Sequence, residues 1–213
     1  MDAVNSLFYI IILILSVVIH EVAHGYVAYR YGDMTAEMAG RLTMNPIKHI
    51  DMFGSVLIPG LLLISGAGFV IGWAKPVPYN PDNFTNRKYG TIAVGFAGIL
   101  ANFAIAIIFG VLMRVLSGIG ALSPDAVFII STIVITNIVL GFFNLMPIPP
   151  LDGSRILAGI GGYKAERLVQ NLERYGLVLA LIFIFFVWPL LTPVIFHLFR
   201  FIQVSRLCSI SIL

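Results

Sequence analysis

The sequence predicts an all-α, multi-pass membrane protein, and three observations carry that prediction. Of its 213 residues, 59% are hydrophobic and only 11% charged, with a mean hydropathy of +0.99. A soluble domain of this size carries about a quarter charged residues. Four apolar runs, 6–28, 91–116, 126–147 and 176–203, reach the ~20 residues that cross a bilayer as a helix. The basic residues fall unevenly between these runs, as in membrane loops that obey the positive-inside rule. A lipid bilayer is therefore the first expected partner. The net charge of +3 belongs to the loops and gives no reason to expect nucleic acid.

The first run holds the most informative residues. No Lys or Arg precedes it and it has no small-residue cleavage site, so it is not expected to be a removed signal peptide. Near its end lies Val17-Val18-Ile19-His20-Glu21-Val22-Ala23-His24-Gly25. Ionisable groups in hydrocarbon are costly and mark function. His20 and His24 are four apart, so on a helix they share one face. Both imidazoles can then reach a single Zn²⁺ at about 2.0–2.1 Å. Glu21 lies beside them, placed to take a proton from an activated water, which is the HExxH pattern of zinc proteases.

The run 52–72 is different in kind. Pro59, Gly60, Gly66, Gly68 and Gly72 interrupt it, as in segments that enter a membrane and return. The connections on either side are basic, with Arg30, Arg41 and Lys48 before it and Lys75, Arg87 and Lys88 after it. The connection 149–175 holds Arg155, Lys164, Arg167 and Arg174, whereas 117–125 holds no Lys or Arg. Charge bias puts the basic connections in the cytoplasm only if 52–72 is re-entrant. Four to six transmembrane helices are expected, with short membrane-edge strands at Arg41–Met44 and Ala74–Tyr79. The run 176–203 is long enough to tilt, or to break at Pro189 and Pro193. A lone cysteine, Cys208, excludes an internal disulfide framework. The chain reads as one domain over 1–213, with a core at 6–160.

A catalytic zinc takes three protein ligands. Six residues past His24 stands Arg30, which cannot ligate, and Asp33 and Glu37 follow too closely in a turn. His49 and Asp51 lie at a loop edge without a polar cluster, and His197 sits among aromatics. Asp152 remains. It follows Pro147, Pro149 and Pro150, which end a helix and leave extended backbone, tolerated at membrane depth where it lines a polar cavity. His20 and His24 lie toward the end of their helix and Asp152 just past the end of its own. The three meet only if those helices run the same way, which again requires 52–72 to turn back. The metal would then lie inside the bilayer toward the cytoplasmic side of a cell membrane.

These residues resemble the site-2 protease family of intramembrane zinc metalloproteases, in its compact bacterial and archaeal branch. The resemblance spans about 6–160 and includes His20-Glu21-Val22-Ala23-His24, Gly98-x-x-x-Asn102, Gly72-Trp73-Ala74-Lys75-Pro76-Val77-Pro78 and Asn144…Leu151-Asp152-Gly153. It implies one catalytic Zn²⁺ on His20, His24 and Asp152, with Glu21 as general base and acid. Asn144 is implied as a catalytic helper near the oxyanion. Asn102 is implied to hold the substrate or the active-site fold. The implied reaction is hydrolysis of peptide bonds in the membrane helices of protein substrates, with the unwound substrate expected to pair against 74–79. Ile99 stands where the family often has proline. The competing function is a metal transporter or channel using the same ligands, which leaves Glu21 without a purpose.

Overall fold

The computed structural model describes residues 3–65 and 73–203. Among them, four helices are long and apolar enough to cross a membrane: Val4–Arg30, Arg87–Gly118, Pro124–Leu145 and Val178–Ile202. In chain order, α1 is Ala3–Arg30 and α2 is the single turn Thr35–Met38. A 3-10 turn at Pro46–His49 and a π-helical turn at Met52–Leu57 lead into α3, Ile58–Ser65. The long helices α4 (Arg87–Gly118) and α5 (Pro124–Leu145) follow. Then come α6 (Asp152–Glu173), α7 (Gly176–Ile182), a π-helical turn at Phe183–Val187 and α8 (Trp188–Gln203).

Local chemistry explains the boundaries. Asn86 caps α4 by accepting from the Tyr89 N–H, and Ser123 caps α5 by accepting from Ala126, with Pro124 in the first turn. α5 ends where Met146, facing Pro147, turns extended at φ −66° and ψ 134°. The last span does not break at its prolines. Pro189 and Pro193 have no N–H to give to the carbonyl one turn back, and the π-helical turn Phe183–Val187 precedes them within one continuous helical run. The bundle core joins α4, α5 and α8 through Ala106, Met113, Ile130, Val134, Ile138, Ile195 and Phe199. Outward positions such as Leu100, Ile108 and Phe186 remain apolar, as a lipid-facing surface requires.

The contacts fix the direction of each helix. Along α1, Ser16 meets Asn137 and His24 meets Asp152, so α1 and α5 run the same way. His20 meets Asn102 while His24, further on, meets Val94, so α4 runs against α1. The chain therefore leaves α1 and enters α4 at the same end, where Thr85 N–H donates to Tyr31 O. The segment between them carries no net crossing, as a re-entrant 52–72 requires. The described part is the short apolar helix over Met52–Leu62; positions 66–72, including Gly72 of the Gly-Trp-Ala-Lys-Pro motif, lie outside the described residues, as does Cys208.

Two expectations need correction. No strand occurs among the described residues: 41–44 is bent, and 73–80 is an extended strap without a ladder. Its donors go to separate places, Trp73 N–H to Gly54 O, Lys75 N–H to His49 O and Val77 N–H to Glu21. The stretch 149–175, read as a basic connection, is mostly the helix α6, which kinks at Gly162 (φ 65°, ψ −157°). α6 runs back along the first half of α4, with Ile156 against Gly95 and Gly159 against Ile92.

Candidate active site

The site is built where α1, α4 and the start of α6 meet. His20, His24 and Asp152 are all buried. His20 Nε2 lies 3.0 Å from His24 Nε2 and 3.0 Å from Asp152 Oδ2, and His24 Nε2 lies 3.1 Å from the same oxygen. The rings are edge to face, with centroids 4.6 Å apart. Three donor atoms at this spacing suit a tetrahedral ion bound at about 2.0–2.1 Å. Their chemistry argues the same way. His24 Nδ1 is 2.7 Å from the Val94 carbonyl, an acceptor only, so it carries a proton and leaves Nε2 with a lone pair. Lone pairs and a carboxylate converging on one buried point call for a cation.

Each of these side chains is held from behind. His20 Nδ1 is 2.5 Å from Asn102 Oδ1, and Arg155 donates to the other oxygen of Asp152 at 3.0 Å. Arg155 also lies over the Tyr79 ring, 5.3 Å from its centroid, which ties the strap to the start of α6. Such outer partners set ring orientation and keep the ligating atom aimed.

Two glycines make the approach possible. A Cβ on Gly98 would sit 2.5 Å from His20 Cε1 and 2.5 Å from His24 Nε2, so both rings rest on bare α4 backbone. A Cβ on Gly153 would sit 2.2 Å from the Leu145 carbonyl oxygen and 2.4 Å from that of Met146. This close backbone contact is what lets the unwound turn fold Asp152 back against the bundle. At 1.5 Å per residue, Val94 and Gly98 lie roughly 10–17 Å along α4 from its start, well inside a span.

Glu21 points differently from the histidines. Its Oε2 accepts from the Val77 N–H at 2.8 Å, so the strap holds the carboxylate of the residue next to His20. The strap is itself pinned by Asp33, which is buried and accepts from Asn80 N–H (2.7 Å), Asn83 Nδ2 (2.8 Å), Thr35 N–H (3.1 Å) and Thr35 Oγ1 (2.5 Å). Burial pushes the Asp33 pKa up, but hydrogen bonds from the Thr35 and Asn83 side chains and the backbone outweigh it and hold it below the ordinary value.

The other candidates have partners of their own. Asn102 is completely buried, with its Oδ1 against His20 Nδ1. Asn144 donates to Leu140 O one turn back at 3.0 Å. His49 is buried with Nε2 2.9 Å from Thr43 O, and Asp51 caps the π-helical turn through Gly54 N–H. Neither joins the triangle, and neither do Glu37, on α2, and His197, on α8. Arg155 and the Val94 carbonyl are the partners not anticipated. Arg155 was visible three residues after Asp152 on a helix, whereas a backbone carbonyl leaves no trace in sequence.

Comparison with known proteins places this geometry. Residues 120–187 match the model of peptidase family M50. The Bacillus subtilis protein YwhC is 37% identical over 193 residues, which cover 85% of this chain and 84% of that one. The chain belongs to peptidase family M50. Rip2 of Mycolicibacterium smegmatis is 27% identical, covering 85% of this chain and 70% of its own length. MJ0392 of Methanocaldococcus jannaschii is 30% identical and covers 85% of this chain but 44% of its own. All three are named as zinc metalloproteases, the first two provisionally. No solved structure matches the chain. This M50 protein is a membrane-embedded zinc metalloprotease with Zn²⁺ as its cofactor.

Proposed function

We propose that this protease cuts peptide bonds within or near the membrane helices of other proteins, at a single zinc held by His20, His24 and Asp152. The observation that carries the reading is the convergence of two imidazole Nε2 atoms and one carboxylate oxygen within 3.0–3.1 Å of one another, the imidazoles on a helix long and apolar enough to cross a membrane and the carboxylate at the start of α6. Bound there, zinc would supply Lewis-acid chemistry, bringing the pKa of a water down to about 7. Glu21 receives the proton and returns it to the leaving amine, a general acid–base contribution of about 10²–10⁴-fold. The Val77 N–H keeps Oε2 fixed and leaves Oε1 for that exchange. Asn144 gives one N–H to Leu140 O, and its second N–H is the proposed donor to the oxyanion. Arg155 holds Asp152 so that only Oδ2 faces the histidines.

The strap is proposed to hold Glu21, and we do not assign it strand pairing with substrate. Pro76 and Pro78 have no N–H, and the donors of Trp73, Lys75, Val77 and Asn80 are already committed. The cytoplasmic side is the proposed face, because Arg30, Arg87, Lys88, Lys164 and Arg167 lie toward the end where the ligands meet. The M50 domain is proposed to occupy the whole chain. The test is the purified protein with a transmembrane reporter helix. Glu21→Gln should keep zinc and lose cleavage, and a chelator should stop the wild type. A Glu21→Gln protein that cleaves normally would remove Glu21 from the reaction, and a wild type that moves metal but cleaves no reporter would point to a metal carrier instead.

A further inference from the structure

Behind His20 runs a chain of buried amides that the mechanism does not use. Asn102 Nδ2 donates to Asn137 Oδ1 at 2.8 Å, and Asn137 Nδ2 lies 2.9 Å from the Ile133 carbonyl and 2.9 Å from Ser16 Oγ. Asn102 and Asn137 have no exposure and Ser16 has 4%. We propose that Asn137 is a positioning residue which, through Asn102, sets which nitrogen of His20 faces the metal. The inference rests on the zinc reading above.

An amide can turn over and exchange its oxygen and nitrogen, so the His20–Asn102 contact alone does not decide where the imidazole proton sits. The Ile133 carbonyl decides it, because it can only accept. It draws the NH₂ of Asn137 and turns Asn137 Oδ1 toward Asn102. That oxygen also only accepts, so it draws the NH₂ of Asn102 and turns Asn102 Oδ1 toward His20. The proton of His20 must then lie on Nδ1, and Nε2 faces His24 and Asp152 with its lone pair. Reversing the chain would press two carbonyl oxygens together at 2.9 Å in a fully buried site.

His24 needs no such chain, since Val94 O fixes it directly. Ser16 is an accessory: without it, Asn137 still has Ile133 O to set its direction. A plain interhelical hydrogen bond is the ordinary reason for asparagine in a membrane helix, and it predicts something different. It makes Ser16 and Asn137 equivalent braces between α1 and α5, with no consequence for the tautomer of His20.

The experiment measures zinc affinity by competition with a chelator, and the histidine ring by ¹³C and ¹⁵N NMR of zinc-loaded protein. The chain has 4 histidines, so assignment by substitution is short. In the wild type, His20 should bind zinc through Nε2 and carry its proton on Nδ1. Asn137→Leu should weaken zinc about 10–100-fold, shift the His20 ring signals and leave those of His24 in place. Ser16→Ala should bind zinc within about twofold of the wild type. Coordination through Nδ1 in the wild type would overturn the proposal even if Asn137→Leu fails to fold. So would wild-type zinc affinity in Asn137→Leu, or equal weakening in Ser16→Ala. Asp152→Asn separates the two levels: if it keeps full zinc affinity, the metal site itself is misassigned, whereas failure of the Asn137 result alone leaves that site intact.

Discussion

Gly98→Ala is the sharpest single-atom test of how the site is built. The added methyl would stand 2.5 Å from His20 Cε1, 2.5 Å from His24 Nε2 and 2.6 Å from His20 Nδ1. Non-bonded atoms settle at about 3.5–4.0 Å, so both rings must retreat by roughly 1 Å. They cannot retreat freely, because Asn102 and Val94 O hold them from behind. A displacement of about 1 Å at a reacting centre costs on the order of 10²-fold in rate. Stability should respond much less. Alanine gains about 0.8–1 kcal/mol over glycine inside a helix, which offsets part of the ~1–3 kcal/mol expected from overpacking. The expected signature is therefore a folded protein with zinc affinity and reporter cleavage both down by about two orders of magnitude. Thermal unfolding, zinc competition and cleavage of a transmembrane reporter measure the three quantities. Wild-type zinc binding and cleavage in Gly98→Ala would refute the claim that the imidazoles rest on that backbone.

Two further outcomes follow from the supports of the site. Arg155→Gln removes the cation that occupies the second oxygen of Asp152; zinc affinity should fall about 10–100-fold, read by chelator competition, and an unchanged affinity would dismiss that role. Asp33 should make the strap acid-sensitive. Its folded pKa lies below its ordinary value, so its contribution is present above that ordinary value and lost as pH falls through the folded one. Asp33→Asn should cost about 1–3 kcal/mol at neutral pH, and its unfolding temperature should approach that of the wild type below about pH 4. A difference that stays constant with pH would contradict this.

Much of this arrangement is legible in the chain because a bilayer restricts it so strongly. Four apolar runs become four spans, since hydrocarbon admits only helices with internally satisfied backbones. The pairing of His20 and His24 with Asp152 is legible for the same reason: polar groups at that depth must find each other. The direction of α5, and hence the return of 52–72, follows from bringing Asp152 to the histidines. What was not legible is whatever depends on partners that leave no pattern. Val94 acts through a carbonyl, and Val77 reaches Glu21 through an N–H. The strap looks like a strand by composition, yet its prolines remove alternate donors and its other N–H groups serve turns and side chains. α6 reads as a loop because its polar and charged residues give it no long apolar run. Asn137 was visible as a polar residue in an apolar helix, but its link to His20 passes through Asn102 and appears only in three dimensions.

The most direct test of the central claim is the zinc content of two purified variants compared with the wild type. The account predicts one zinc per chain in the wild type and in Glu21→Gln, and little or none in Asp152→Asn, with reporter cleavage in the wild type alone. Zinc retained at full affinity by Asp152→Asn, together with normal cleavage, would contradict it.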